Sequence, residues 1–237
     1  PPPRSPLFPY PTLFRSPSGA INGLFSVSST KQVWFSQGNL QATYNGSAWS
    51  WAFATNQYDY IGDGGSATVG NEMVTGTSPF ISGSGTVDFF GWSTNATYYG
   101  IHNSANSTPY GGGDFVDWGA TMGSGWFTLT SAEWAYLFNT RTTGGTVGTT
   151  SQARYAHATI RTDVNSGVNG IILFPDGVDI ANSTDYFTTL GTVNGTSAWG
   201  TKCTSAQWTA LEGKGCVFLP AAGGRDGSTG NYAGADG

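Results

Sequence analysis

Basic residues are scarce in this chain. Lys and Arg together number 9, against 14 Asp and Glu, which gives a formal net charge of −5 over 237 residues. No cluster of basic residues occurs anywhere along the sequence. A protein that binds a phosphate backbone needs such a cluster, so we expect no nucleic-acid partner.

Long apolar runs are also missing. No stretch approaches the ~18 consecutive apolar residues that a membrane-spanning helix needs. The opening residues, PPPRSPLFPYPTLFRS, contain no apolar core of a secretory signal. We therefore expect no transmembrane segment and no export signal within this sequence.

Cysteine is limited to Cys203 and Cys216. A predicted helix separates them, and about nine helical residues rise ~13 Å. A disulfide needs Cα atoms within ~7 Å, so we expect two buried free thiols rather than a bridge. Their spacing fits neither a CxxC redox pair nor a zinc site.

Glycine and aromatic residues are abundant instead. The chain has 36 Gly, and 14% of its residues are aromatic while only 10% are charged. Such a composition can bury a core, which argues against general disorder. Glycine together with many Thr, Ser and Asn indicates turns between short strands.

The first 16 residues differ in character from the rest. Their letters LFPYPTLFRS closely resemble LFPYTTLFRS, the translation of a common sequencing adapter. We expect residues 1–16 to be a non-native, adapter-derived segment from a metagenomic assembly, and the alternative is a genuine Pro-rich linker. Residues 17–237 are expected to form a single domain.

One short sequence motif occurs twice with small changes. TSAEWAYLF starts at Thr130 and TSAQWTALE starts at Thr204. In each, the Thr hydroxyl can cap a helix while the Glu or Gln three residues later reaches back to the cap backbone, which is a capping box. Trp134 and Trp208 occupy equivalent staple positions, and we expect both in the core.

Runs rich in β-branched and aromatic residues predict the strands. These runs cover residues 24–28, 33–44, 48–53, 153–162, 171–175 and 216–223. Asn45-Gly46 predicts a hairpin between the second and third runs, and residues 166–170 predict a turn. The segments 63–86, 94–113 and 176–202 lack periodicity and are predicted to be loops.

The order of these elements predicts the fold class. Helices do not alternate strictly with strands, which disfavours a parallel doubly wound sheet. The sequence instead predicts an α+β domain in which two helices pack on mainly antiparallel strands.

Six segments in order along the chain carry a family resemblance. They read FSVSSTKQVWFSQGNLQ (25–41), NQYDYIG (56–62), DFFGW (88–92), FTLTSAEWAYLFNTR (127–141), NGIILFPD (169–176) and QWTALEGKGCVFLPAAGGRDG (207–227). Together they resemble C-type-lectin-fold domains in surface proteins of gut-type anaerobic bacteria and their phages. Relatives of that family include receptor-binding proteins varied by diversity-generating retroelements, and formylglycine-generating enzymes share the fold.

The resemblance implies a ligand surface near the carboxy end. In the family, Trp/Ser-rich strands follow PAAGxR and often carry that surface, whereas this sequence stops at GNYAGADG. The resemblance therefore implies that the domain of residues 17–237 is truncated at its carboxy end and lacks most of this surface, and the candidate ligand-binding residues that remain are Arg225, Asp226, Asn231 and Tyr232. The implied function is a non-catalytic module, displayed extracellularly on a cell or virion, that binds a glycan or protein ligand.

No catalytic constellation stands out. The sequence contains no G-x-S-x-G motif, which would place a nucleophilic serine for a histidine to activate. The two histidines, His102 and His157, are therefore expected to be structural or solvated. The capping role explains Glu133, and Glu212 lies on the second predicted helix. No catalytic residue and no cofactor are predicted.

Asp176 and Asp179 flank Gly177 after a predicted strand. A turn is the preferred interpretation, and a weak calcium site is the alternative. The Glu-Pro-Asn, Gln-Pro-Asp and Trp-Asn-Asp triplets of the calcium-dependent sugar-binding lectins are absent from the sequence. No metal ligand is therefore predicted.

Two other functions remain as alternatives. A formylglycine-generating-type oxidoreductase would need a redox-active cysteine pair near the carboxy end, whereas Cys203 and Cys216 bracket a helix. A structural adhesin or tail-fibre component would need no ligand site.

Overall fold

The computed structural model describes residues 16–45, 48–61, 85–88, 90, 117–161, 166–196, 198–226 and 229–232. At Tyr44 and in 223–226 and 229–232 it describes the backbone alone. The predictions made for residues 1–15, for the loop 94–113 and for His102 lie outside the described residues.

Short strands and two helices make up the described chain, which is broadly α+β. The strands are β1 (Phe25–Ser26), β2 (Gln32–Val33), β3 (Leu40–Tyr44), β4 (Trp49–Phe53), β5 (Gly85–Val87), β6 (Gly145–Val147), β7 (Thr150–Ala153), β8 (Tyr155–Arg161), β9 (Gly167–Leu173), β10 (Asp179–Ile180), β11 (Thr201–Thr204), β12 (Val217–Pro220), β13 (Gly223–Asp226) and β14 (Thr229–Tyr232). The helices are α1 (Ser131–Ala135), which continues into a π-helical turn at Tyr136–Thr140, and α2 (Ser205–Gly213), with 3-10 turns at Trp118–Met122 and Ser183–Asp185.

A four-stranded sheet in the order β11-β8-β9-β12 lies at the centre. Strands β8 and β9 pair antiparallel, with Tyr155 opposite Leu173, and β9 pairs antiparallel with β12. Strand β11 lies parallel to β8, with Thr201 opposite Ala158. The sheet is therefore mainly antiparallel, as predicted, with one parallel edge.

Helix α2 covers one face of this sheet. Alternate residues of β8, namely Ala156, Ala158 and Ile160, are fully buried and pack in one cluster with Trp208 and Leu211 of α2. Every second side chain of β8 points to this face of the sheet, and Trp208 and Leu211, three residues apart, lie on the face of α2 that packs against it. The predicted core position of Trp208 is confirmed, since only 1% of it is exposed.

The first helical segment covers the opposite face. Leu173 and Val217 of the sheet pack in a second cluster with Phe25 and Leu137. Trp134 packs against this cluster but is only half-buried, so its predicted core position holds in part. The two repeated phrases thus place their helices on opposite faces of one sheet.

Both predicted capping boxes are confirmed. The Thr130 hydroxyl accepts from the Glu133 backbone N–H over 3.3 Å, and the Glu133 carboxylate accepts from the Thr130 N–H over 2.8 Å. The corresponding distances between Thr204 and Gln207 are 3.2 and 3.0 Å. Each box satisfies amides that have no partner inside the helix.

The predicted hairpin at Asn45 is also confirmed, and it joins β3 to β4. The Asn45 side-chain oxygen accepts from the Ala48 N–H over 2.8 Å, and the backbone N–H of Asn45 donates to the Ala48 carbonyl. Strand β5 pairs with the other edge of β3. The prediction of an uninterrupted loop over 63–86 is therefore wrong at residues 85–86.

The prediction of one strand over residues 33–44 is wrong, because the chain breaks between β2 and β3. Within that break the Ile21 N–H donates to the Phe35 carbonyl and the Gln37 N–H to the Gly19 carbonyl. Gly38 then passes so close to Ala54 that a Cβ at residue 38 would lie 2.1 Å from the Ala54 carbonyl oxygen. Contacts with residues 19–21 and with Ala54, all distant in sequence from the break, thus accompany the interruption of the strand.

The predicted turn at 166–170 is misplaced. Strand β9 already begins at Gly167, which pairs with Arg161, and Gly170 pairs with Ala158 and lies against the Leu219 carbonyl. Glycine is used here for close packing rather than for turning. The predicted loop over 176–202 contains β10, a 3-10 turn and the start of β11, so that prediction is wrong in part.

Candidate functional site

The four predicted ligand-binding residues lie in one antiparallel hairpin, β13–β14, directly after the central sheet. Their partners across the ladder are Gly230 for Arg225, Thr229 for Asp226, Gly224 for Asn231 and Gly223 for Tyr232. Residues of the two strands are therefore brought together by backbone pairing.

A cleft of about 270 Å³ lies at the base of this hairpin. We call it the hairpin cleft, and its lining residues are Asn39, Leu40, Asp88, Phe90, Leu219, Pro220 and Ala222. Ala222 immediately precedes β13. The cleft thus adjoins the segment that the sequence singled out for ligand binding.

An aromatic stack supports one wall of the hairpin cleft. The ring of Phe90 lies 5.4 Å from that of Trp51 and 5.5 Å from that of Trp118, and the two indoles are 5.8 Å apart. Aromatic pairs at such distances add stabilisation to the area they bury. The Phe90 ring is therefore fixed in place, and it remains partly exposed.

Two polar side chains of the hairpin cleft are also held in place. The Asp88 carboxylate accepts from the Ile61 N–H over 2.9 Å, and the Asn39 amide donates to the Asp59 carbonyl over 3.1 Å. The cleft combines an aromatic face, a carboxylate and an amide, which is a small polar set in a partly apolar recess. The sequence marked the lining residues only as parts of the resemblance segments 25–41, 88–92 and 207–227, and nothing in it indicated that these segments meet in one cleft.

The carboxylate of Asp176 is engaged by hydrogen-bond donors of the protein. Its two oxygens accept five hydrogen bonds, from the backbone and hydroxyl of Ser26 and from Gln32, Arg141 and Thr143. Burial alone would raise the pKa of Asp176, but these hydrogen bonds and the charge of Arg141 outweigh it and lower that pKa below its ordinary value.

The segment around Gly177 is the predicted turn. The Val178 N–H donates to the Pro175 carbonyl over 3.3 Å, and Gly177 adopts a φ of 66°, which favours glycine. No group of three or more metal-ligating side chains occurs within the part of the chain that the structure describes.

Both cysteines are buried, free thiols. Burial raises the pKa of Cys203 to about 12, and it also raises the pKa of Cys216. A thiol is nucleophilic only as the thiolate, which is scarce at neutral pH under these conditions. This arrangement gives no support to a redox-active cysteine pair.

His157 lies on the sheet face opposite α2 and contacts aromatic rings. Its ring centroid lies 6.2 Å from that of Tyr155 and 5.9 Å from that of Trp199. Trp199 has a φ of 51°, an uncommon backbone conformation for a residue other than glycine. Within the described segments His157 has no hydrogen bond to a hydroxyl or carboxylate that would make a catalytic relay.

Glu212 has a structural partner that the sequence did not indicate. The buried Gln57 donates to the Glu212 carboxylate over 3.0 Å and accepts from the Phe218 N–H over 2.7 Å. Burial raises the pKa of Glu212, although the contacts with Gln57 and Trp208 act in the opposite direction. The NQYDYIG segment thus ties the α2 end to the sheet.

Comparison of the chain with protein-family models, with curated proteins and with solved structures gives no match. Among the described residues, no helix has both the length and the apolar character that a bilayer crossing demands.

Proposed function

We propose that this chain is a non-catalytic ligand-binding module with a C-type-lectin-like fold, displayed on a bacterial cell or virion surface. Its ligand is a glycan or protein on another surface. The observation that carries the proposal is the position of the hairpin cleft, whose wall ends at Ala222 where the β13–β14 hairpin begins.

The arrangement of elements supports the fold part of this proposal. Two capped helices lie on opposite faces of a four-stranded, mainly antiparallel sheet, and a hairpin extends from its edge strand. Loops and hairpins mounted on such a rigid layer are common carriers of recognition sites.

The chemistry of the hairpin cleft supports the binding part. Phe90 offers a partly exposed ring that Trp51 and Trp118 hold in place, while Asp88 and Asn39 supply polar atoms at its edge. Rigid aromatic groups with few fixed polar neighbours recur in binding sites because ordering them on binding costs little.

Binding to arrays tests the proposal. We expect the labelled chain to bind at least one class of immobilised oligosaccharide or purified surface protein. Phe90→Leu, Arg225→Ala and Tyr232→Ala should each weaken that binding by about tenfold, as truncation of a central contact does. Periodate treatment of the immobilised target separates the two ligand classes, since it destroys glycans and spares most of the polypeptide.

Tyr60→Ala is the matched control, because Tyr60 is 37% exposed and lines neither the hairpin cleft nor the hairpin. Thermal unfolding of each variant excludes loss of fold as the cause. Absence of binding on both arrays would refute the proposal, as would binding that all three variants leave unchanged.

A further inference from the structure

Trp34 is a large aromatic residue that the core does not use. Its neighbours Val33 and Phe35 both pack into the cluster around Phe25, whereas Trp34 belongs to neither buried cluster. The Trp34 side chain is half-exposed and makes no hydrogen bond or ring contact with the described residues. An indole that gains this little from packing is available to a ligand.

The Trp34 indole lines a second cleft of about 330 Å³, which we call the Trp34 cleft. Its walls come from the segment before β1, from the turn after β9 and from the end of α2. Gly23, which lines the cleft, touches Gly215 backbone to backbone, since a Cβ at Gly23 would lie 2.3 Å from the Gly215 carbonyl oxygen. The recess is thus preformed by close main-chain packing.

The polar groups of the Trp34 cleft carry both charges. Asp179 and Lys214 both line it and both are exposed. One Asp179 oxygen accepts from the Ala181 N–H, and the other makes no hydrogen bond within the described residues. The Lys214 ammonium lies 5.8 Å from the Tyr186 ring and forms no ion pair in the described part of the chain.

Asp176 contributes to the wall but not to recognition. All of its accepting capacity is directed to Ser26, Gln32, Arg141 and Thr143. The groups left for a ligand are therefore an acceptor carboxylate, a donor ammonium and an aromatic plane. Opposite charges on the walls of one cleft disfavour an anion and a cation alike, while hydroxyl groups can donate to the carboxylate and accept from the ammonium.

We propose that the Trp34 cleft binds a neutral pyranose sugar. The C–H face of the ring stacks on the Trp34 indole, and the hydroxyl groups donate to Asp179 and accept from Lys214. The size of the cleft, at the lower end of the range for small-molecule sites, fits one sugar ring or the terminal ring of a glycan. This site is separate from the hairpin cleft.

Saturation-transfer NMR and calorimetric titration of the intact chain test the proposal. The probes are the methyl glycosides of glucose, galactose, mannose and N-acetylglucosamine, with methyl glucuronide as the charged comparison. We expect at least one neutral glycoside to bind with a Kd of about 1 mM, with saturation strongest on the protons of one ring face.

Variants assign the binding to this cleft. Trp34→Ala should weaken it by at least about tenfold, while Trp34→Phe retains a stacking plane and should stay within about threefold of the wild type. Asp179→Asn and Lys214→Met should each weaken binding by about threefold or more, because each removes a charge-assisted hydrogen bond. Tyr60→Ala serves as the exposed aromatic control and should bind as the wild type does.

The outcomes separate this proposal from the preceding one. Phe90→Leu and Arg225→Ala, which alter the hairpin cleft and the hairpin, should leave glycoside binding unchanged. The proposal is wrong if no neutral glycoside binds below about 10 mM, if Trp34→Ala binds as the wild type does, or if the glucuronide is preferred by about tenfold.

Discussion

Arg141 donates a hydrogen bond from Nη1 to Oδ1 of Asp176 over 3.0 Å, and no part of the Arg141 side chain is exposed. Its Nη2 donates to the carbonyl oxygens of Arg154 and Phe174. The guanidinium also lies 5.5 Å from the ring of Phe25. One buried cation thus joins the end of the π-helical turn to the central sheet and to the turn after β9.

Removal of Asp176 should destabilise the fold strongly. Asp176→Ala leaves the Arg141 charge buried without its partner, which typically costs about 3–5 kcal/mol in the free energy of unfolding. Urea unfolding measures this cost. Arg141→Met and the double variant complete a mutant cycle, and the double variant should lose much less than the sum of the single losses. A loss below about 1 kcal/mol for Asp176→Ala would contradict this account.

The pair of Asp176 and Arg141 should also make the stability of the fold depend on pH in the acidic range. The pKa of Asp176 is lower in the folded chain than in the unfolded chain, where it is about 3.9. Its stabilising contribution is therefore present above that unfolded value and is lost as pH falls through the folded pKa. We expect the stability difference between wild type and Asp176→Ala to shrink on acidification below pH ~4. A difference that stays constant well below pH ~4 would refute the linkage.

The stability that Glu212 contributes should depend on pH in the opposite direction. Its pKa is raised in the fold, so its contribution is fully present below the unfolded pKa of about 4.3 and is lost as pH rises through the folded pKa. Glu212→Gln keeps an acceptor for the Gln57 amide without the charge. We expect this variant to gain stability relative to wild type as pH rises from acid to neutral. Unfolding midpoints at several pH values measure the gain, and an unchanged difference would contradict it.

Local signals predicted the elements whose determinants lie within a few residues of one another. The capping boxes at Thr130 and Thr204, the hairpin at Asn45 and the strand β8 are all of this kind. The elements that prediction missed depend on distant partners. Gly38 is diverted by Ala54, and β11 is a strand because it pairs with β8 some forty residues earlier.

The candidate sites also differ in whether their residues are close together or far apart in the sequence. The sequence placed its candidate ligand residues in 225–232, and the structure joins them in one hairpin. Neither the hairpin cleft nor the Trp34 cleft could be predicted, because each assembles residues from distant segments, such as Asn39 with Ala222 and Trp34 with Lys214. The Asp176 turn was predicted, but its pairing with Arg141 was not.

Loss of a capping hydroxyl should destabilise the fold by a modest amount. Thr204→Ala removes the acceptor for the Gln207 N–H and should cost about 1 kcal/mol in the free energy of unfolding. Thr204→Ser keeps the hydroxyl and should lose only a fraction of that. Thr130→Ala tests the first helix in the same way. If Thr204→Ser were as unstable as Thr204→Ala, the missing methyl group rather than the cap would be responsible.

The thiols should report unfolding rather than surface chemistry. Cys203 and Cys216 are 1% and 0% exposed, and burial raises the pKa of Cys203 to about 12. We expect Ellman's reagent to leave both thiols unmodified in the native chain at neutral pH and to modify both in guanidinium chloride. On a longer timescale, any residual modification of the native chain should accelerate with urea in parallel with unfolding, because only opened molecules expose the thiols. Cys203→Ser and Cys216→Ser identify which thiol reacts first, and rapid modification of the native wild type would show that at least one thiolate is accessible.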